Sequence, residues 1–328
     1  MNGNRHAGDP HAGDPYAIVQ KPLADKPWVA ELEVTHERAA ALIDTQCPPL
    51  APVTLSLMGA GWDNTAYLVN GEWVFRFPRR TIAVPLLEAE GRVLPKLAPR
   101  LPCPIPRPEW FGRPADGYPW PFLGYRRLAG EVASDVGLDE SARAALARPL
   151  ARFLRALHDV PQTDADAWGA PPDAFGRLDG ARLERMVRPA LAELVARGTI
   201  DDAAPWLDIV EAGLAALPVD MSLALVHGDF YSRHVLVDET GGMVGVIDFG
   251  DLHVGHPAVD LSIVWTLLPA RARHAFFEIY GSVSARAAAA ARLRALTSAI
   301  AQEAYGHDVG DAQIEREGVR ALHSVVAR

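Results

Sequence analysis

Residues 225–251 read LVHGDFYSRHVLVDETGGMVGVIDFGD. Three side chains in this stretch carry chemistry: Asp229 in an HGD triplet, His234 five residues on, and Asp248 at the head of DFGD. Between them, VLVD and MVGVI are apolar, β-branched runs joined by Glu239-Thr240-Gly241-Gly242, a pattern that predicts a hairpin. Asp229 and His234 then precede its first strand and Asp248 follows its second, so both ends meet at one edge. One carboxylate to orient a hydroxyl, with an Asp/His pair to hold magnesium against nucleotide phosphates, is the equipment of phosphoryl transfer. Taken alone, HGD or DFG is a weak signal, because an Asp after a strand is commonly a turn residue or a helix cap. The combination carries the reading.

Composition narrows the surroundings of this motif. A chain of 328 residues exceeds most single cores and predicts two lobes or domains. A hydrophobic fraction of 49% and a mean hydropathy of +0.02 fit a soluble globular protein. No run approaches the roughly 18 uncharged apolar residues of a membrane span, and the start MNGNRHAGDP lacks an apolar secretory core, so a cytoplasmic location is expected. Cys47 and Cys103 have no metal-like spacing and argue against a disulfide framework or zinc site. The net charge of −9 divides into +1 over residues 1–128 (14 basic, 13 acidic) and −10 over residues 129–328 (18 and 28). That distribution disfavours a nucleic-acid surface, which needs a basic stripe. An acidic second half suits either a solubilising surface or attraction of a cationic small molecule.

Pattern along the chain divides it further. The tandem HAGDP at 6–15 is polar and rich in Gly and Pro, and residues 1–24 read as a disordered tail. Over 25–128 the pattern is a short helix near Thr35–Ile43, then strands VTLSLM, TAYLVN and EWVFRF, the last two joined by Asn70-Gly71. A helix over Ala83–Leu97 is expected to break near Pro95; LPCPIPRP at 101–108 is extended; Tyr118–Leu128 is a last strand leading to a hinge at Ala129-Gly130. Residues 129–328 read as mostly helical: a helix ending near His158 and kinked by Pro149, then 181–197, 205–217, 258–268, 271–280, 284–305 and 311–327. The fold class is α+β, a small antiparallel-sheet lobe followed by a larger, mainly helical one with a cleft between.

These residues resemble the aminoglycoside and macrolide phosphotransferase family, whose fold is similar to that of protein kinases, over about residues 50–270. The resemblance implies that Asp229 positions the acceptor hydroxyl and takes its proton, and that His234 and Asp248 ligate Mg²⁺. The family commonly has Asn where this chain has His234; His at that place is similar to the 2″-aminoglycoside and macrolide kinases. Magnesium prefers oxygen, although a neutral imidazole can ligate a divalent ion; the alternative is that His234 packs at the hairpin start. The glycine turn Gly59-Ala60-Gly61-Trp62-Asp63-Asn64 lets backbone amides approach phosphate oxygens, with Gly59, Gly61 and Asn64 as nucleotide contacts. The strand lysine of the family is missing, and Arg76 in VFRFPRR stands in its place as the phosphate-binding cation. Glu90 pairs with Arg76 by the spacing to LPCPIP, with Glu88 as rival. Arg126 and Leu128 belong to the segment Tyr125–Leu128 whose backbone reads the purine of ATP or GTP.

Other polar residues read as structural or undecided. His227 braces the HGD loop and Asp260 caps or orients it; His253 and His256 form an HxxH without a third ligand; Asp251 binds substrate or ends a turn. Asp201, Asp202, Asp208 and Glu211 are candidate contacts for a cationic acceptor or plain helix caps. The expected activity is transfer of a nucleotide γ-phosphate to a hydroxyl of an aminoglycoside or macrolide antibiotic, by a monomer or weak dimer that binds neither nucleic acid nor membrane. The alternatives are a metabolic kinase of the same fold acting on a choline-, homoserine- or sugar-like compound, or a nucleotide-binding pseudokinase with a regulatory role.

Overall fold

The computed structural model describes residues 29–115, 117–219 and 222–327. The HAGDP repeat, the expected 1–24 tail, Lys21 and Lys26 lie outside them. Helix α1 (His36–Gln46) starts at Thr35, whose hydroxyl accepts from the Arg38 amide, and is followed by strands β1 (Leu55–Ala60), β2 (Asn64–Val69) and β3 (Trp73–Pro78). Asn70 and Gly71 both take positive φ, 52° and 71°, and the Glu72 amide closes the turn on the Val69 carbonyl at 3.1 Å. That left-handed pair is what Asn-Gly supplies between strands. Helix α2 (Ala83–Leu97), β4 (Pro108–Gly112) and β5 (Phe122–Arg126) complete an antiparallel sheet of order β1-β2-β3-β5-β4.

Strand β3 is buried along its whole length, and its alternation sets the site. Trp73, Phe75 and Phe77 join a cluster with Phe122, Tyr118 and the α1 residues Ala39, Leu42 and Ile43. Period-two geometry turns Arg76 to the opposite face, toward α2. The end of α2 leaves the sheet, and Val93, Leu94 and Leu97 enter the core of the helical lobe.

The rest of the chain builds that lobe. Strand β6 (Glu131–Val132) precedes α3 (Glu140–Ala145), α4 (Ala147–His158), α5 (Gln162–Trp168), α6 (Gly180–Ala196) and α7 (Ala204–Ala215). Strands β7 (Ala224–Val226), β8 (Val235–Val237), β9 (Met243–Val246) and β10 (His253–Gly255) follow, then α8 (Ala258–Leu261), α9 (Ile263–Thr266), α10 (Ala270–Tyr280), α11 (Ala285–Val309) and α12 (Ala312–Val326). The expected hairpin is β8–β9, pairing Val235 with Val246, and β6 adds to its other edge. Strand β7 pairs with β10, so the loops around Asp229 and Asp248 leave and enter one short ribbon. Alanine-rich α11 runs through the lobe, capped by Ser284 and ended by Gly310 at φ 70°, with α6, α7, α8 and α12 against it.

Three expectations need correction. Helix α2 runs through Pro95 to Leu97: the proline sits in its last turn, where few ladder bonds remain to lose. The break near Pro149 falls at Leu146, between α3 and α4, which puts the proline in the first turn of α4, where a missing N–H is harmless. The 258–268 helix is two short helices parted at Ser262. Strands β4, β6, β7 and β10 and helix α5 were not foreseen; β7 and β10 are three residues each, too short to show a period.

Gly124 of β5 pairs with Phe75, and a Cβ there would lie 2.6 Å from the Phe75 ring. Gly124→Ala must displace that ring from the aromatic cluster, and an overpacked site of this kind loses about 1–3 kcal/mol. The expected outcome is a lower urea midpoint with an unchanged slope, measured by tryptophan fluorescence; an unaltered midpoint would show that the ring has room to yield.

Candidate active site

The loop carrying Asp229 is fixed from behind by a carboxylate that never meets solvent. Asp260, 0% exposed at the start of α8, accepts from the backbone amides of His227 at 2.7 Å and Gly228 at 2.9 Å. Its Oδ2 also faces His158 Nε2 at 3.0 Å, and His158 Nδ1 meets the Tyr280 hydroxyl at 2.8 Å. Burial alone would raise the Asp260 carboxyl, but the His158 hydrogen bond, His227 and the Gly228 amide hold it below its ordinary value. His227 Nε2–H donates to the Ile247 carbonyl at 3.0 Å, which ties the loop to the chain entering Asp248. Burial, with His234 adding to it, drops the His227 imidazole to about 4, so the ring is neutral. Gly228 has φ 88°, and a Cβ on it would stand 2.1 Å from the Asp251 carbonyl oxygen. The two loops therefore pack backbone to backbone, a contact only glycine permits.

Asp248 sits at φ 60°, a left-handed conformation that an aspartate holds only when its surroundings impose it. Its Oδ1 accepts from Arg76 Nη2 at 2.8 Å and its Oδ2 lies 3.4 Å from His234 Nε2. Burial pushes this carboxyl up, yet Arg76, then His234 and His227, outweigh it and hold it at about 2. His234 Nδ1 lies 2.7 Å from the Asp229 carbonyl oxygen. A carbonyl only accepts, so Nδ1 carries the hydrogen, and Nε2 is the ring nitrogen that can offer a lone pair beside Asp248. Two electron-pair donors facing each other are a ready seat for a cation. Among the described residues no group of three or more His, Cys, Asp or Glu side chains is arranged to hold a metal. An ion held by this pair would complete its shell with water or phosphate oxygens, as magnesium habitually does.

Arg76 bridges to α2 as well, donating from Nη1 to Glu90 Oε2 at 2.6 Å. Glu90 is buried and Glu88 is exposed, so Glu90 is the partner the helix presents. Burial pushes the Glu90 carboxyl up to about 7 against the pull of Arg76, and its Oε1 has no hydrogen-bond partner among the described residues. Burial would lower the guanidinium, but Glu90 and Asp248 more than offset this and keep Arg76 charged. Asp229 Oδ1 is 3.7 Å from Arg294 Nη2 of α11. Burial raises its carboxyl, opposed by His234 and helped by Asp251.

The glycine turn closes this constellation from above. The Gly61 amide bonds to the Asn64 carbonyl at 2.9 Å; a Cβ on Gly59 would meet nothing within 4 Å, and one on Gly61 only the Asn64 oxygen at 3.8 Å. Open space, not backbone strain, distinguishes these glycines. Asn64 Oδ1 is buried and unpartnered among the described residues. Asp63 pairs with Arg80 at 3.2 Å, and burial followed by Asp251 pushes its carboxyl up to about 6. Gly59, Gly61, Arg76, Asp229, His234 and Asp248 all line one cavity of about 420 Å³. Arg126 and Leu128 do not line it: Arg126 pairs with Glu72 and stacks over Trp73 at 4.5 Å, and Leu128 stands against Gly245.

Several participants were not anticipated. Arg294, a charge among the leucines and alanines of α11, faces Asp229, and Arg177 pairs with both Asp251 and Asp173. The only sequence signal for Arg294 is a charged residue on an otherwise apolar helix face. His253 and His256 serve the loops, His253 Nδ1 on the Asp251 carbonyl at 2.7 Å and His256 Nδ1 on the Ala258 amide at 3.1 Å. Asp202 Oδ1 accepts from the Ala204 amide at 3.0 Å just ahead of α7, and Glu211 pairs with Arg188 at 2.6 Å; neither lines the cavity.

Comparison with known proteins agrees with this architecture. A point mutant of aminoglycoside 2′-phosphotransferase-IIIa in complex with GDP superposes with a TM-score of 0.66 at 25% identity, over 89% of this chain and 97% of that one. Macrolide 2′-phosphotransferase type I shares the fold with a TM-score of 0.55 at 22% identity, over 88% and 97% of the two chains. The uncharacterized protein YcbJ of Bacillus subtilis (strain 168) is 25% identical over 232 residues, 65% of this chain and 69% of its own length. The kinase-like fold is thus held in common with enzymes of phosphate transfer. The model of the phosphotransferase enzyme family matches residues 54–296, and the chain belongs to that family.

Proposed function

We propose that this protein transfers the γ-phosphoryl group of ATP or GTP to a hydroxyl of a small molecule. The observation that supports this most directly is the opening of Asp229 and the Asp248–His234 pair onto one cavity beneath the glycine turn. Asp229 orients the acceptor hydroxyl for in-line attack and receives its proton; burial, by raising its carboxyl, makes it a better base than a surface aspartate. His234 Nε2 and Asp248 Oδ2 are the residues that would hold Mg²⁺, which when bound neutralises charge on the phosphates. Arg76, kept in place by Glu90, contacts the phosphates, and Gly59, Gly61 and Asn64 cradle them. Residues 25–128 form the nucleotide-binding lobe, and backbone groups of the Tyr125–Leu128 segment read the purine. Residues 129–328 supply the catalytic loops and the acceptor site. The company of aminoglycoside and macrolide phosphotransferases supports an antibiotic acceptor and a role in resistance. No helix among the described residues is long and apolar enough to cross a membrane, and a nucleotide-dependent reaction suits the cytoplasm.

Asp229→Ala should lower kcat by about 10²–10⁴-fold with nucleotide affinity preserved, measured by product formation and by calorimetric titration. Transfer at the wild-type rate would remove Asp229 from this role. The raised Asp229 carboxyl also places the acid limb of the kcat/KM profile above the ordinary aspartate value of 3.8. Activity falls as pH drops through that limb, because the base is then protonated; a limb at or below the ordinary value contradicts the assignment. For the metal pair, His234→Ala should raise the Mg²⁺ concentration for half-maximal activity by about tenfold or more, and His234→Asn, which restores a ligand, should recover most of it. Equal metal dependence in all three proteins would mean that His234 only packs.

A further inference from the structure

One wall of the cavity remains without a task in the phosphate chemistry. Ser298, Ala301, Gln302 and Tyr305 recur at helical spacing and turn one face of α11 into it. Trp62 of the glycine turn meets Tyr305 from the opposite lobe, with ring centroids 5.6 Å apart. Gln302 is 8% exposed, and its Nε2 has no hydrogen-bond partner among the described residues. A buried donor without an acceptor is unfavourable, and a ligand oxygen would relieve it. This wall holds no carboxylate.

The charges around it point the same way. Each of the four carboxylates that line the cavity is faced by a guanidinium: Asp63 by Arg80 at 3.2 Å, Asp248 by Arg76 at 2.8 Å, Asp229 by Arg294 at 3.7 Å, and Asp251 by Arg177. Burial pushes the Tyr305 hydroxyl up, Arg233 and Arg79 oppose that push, and Asp311 adds to it. Each lining carboxylate thus has a cation beside it and none stands on the α11 face, so that wall offers an ammonium group no partner of its own. Aromatic rings beside an amide and a hydroxyl instead match a ring compound with an apolar face and oxygen substituents.

From the α11 wall we infer that the acceptor is an oxygen-rich, amine-poor ring compound, glycosidic or polyol in character, which sets ether or hydroxyl oxygens against Gln302 and Ser298 and a ring face against Trp62 and Tyr305. The inference rests on the phosphotransferase reading. Gln302 Nε2 is shut from solvent in this state, and rotation of the side chain brings it onto the acceptor oxygen. Discrimination follows because a site built to donate to oxygen leaves its donors unmet when an ammonium arrives.

The test uses the full-length protein with ATP or GTP, Mg²⁺, and a panel of polyamino aminoglycosides beside glycosides and polyols carrying one amine or none, with phosphorylated products read by mass spectrometry. The expected result is a kcat/KM at least about tenfold higher for the amine-poor acceptors. Ser298→Asp and Gln302→Glu, each placing a carboxylate on the wall, should lower that kcat/KM about fivefold or more, chiefly through KM. A smaller or inverted preference in the wild-type protein overturns the inference, as does a carboxylate variant that improves turnover of polyamino acceptors. The wild-type preference decides the matter if a variant fails to fold. Transfer to polyamino compounds alone fells this inference and leaves the phosphotransferase reading standing, whereas transfer to no member of the panel fells both.

Discussion

The site depends on one guanidinium. Arg76 reaches Glu90 on α2 with one nitrogen and Asp248 at the head of DFGD with another, so a single planar group joins strand, helix and helical-lobe loop. A fork with two donors on separate nitrogens can do this; a lysine, with one ammonium, would hold both carboxylates only by crowding them together. The halves of the bridge differ in strength. The Glu90 side chain is 3% exposed and the Asp248 side chain 47%, so water screens the second contact and leaves it the easier one to exchange for a ligand.

Behind that bridge stands a second, less yielding one. Asp260 gathers two backbone amides and an imidazole onto a carboxylate with no access to water, and His227 carries the constraint on to Ile247. The loops that bear Asp229 and Asp248 are thereby set by hydrogen bonds from outside the cavity, and both carboxylates line it. Preorganisation of this kind is what a reaction with little covalent work for the protein requires.

Much of this was legible in the sequence where local pattern and chemistry coincide. The β8–β9 hairpin shows as period-two runs around a glycine turn, and its register brings its ends together without further information. Arg76 is placed by resemblance, and the structure sets it on the face of β3 opposite Phe75 and Phe77, which claim the core. What the chain conceals are pairings set only by tertiary packing. Arg294 comes to Asp229, and Arg177 to Asp251, through helix placement that no window of sequence encodes. Proline was misread for a related reason: its effect depends on its place within a turn of helix, and the ends of α2 and α4 are drawn by packing as much as by propensity. The side-chain contacts of Arg126, with Glu72 and over Trp73, are likewise set by packing across the sheet.

The contact between Gly228 and the Asp251 carbonyl bears on how the molecule can move. With room for only a hydrogen between them, the two loops meet too closely at this point for either to shift toward the other. The glycine turn is packed differently: a Cβ on Gly59 would meet nothing within 4 Å and one on Gly61 only the Asn64 carbonyl, so the freedom denied to the two loops is left to the jaw opposite them.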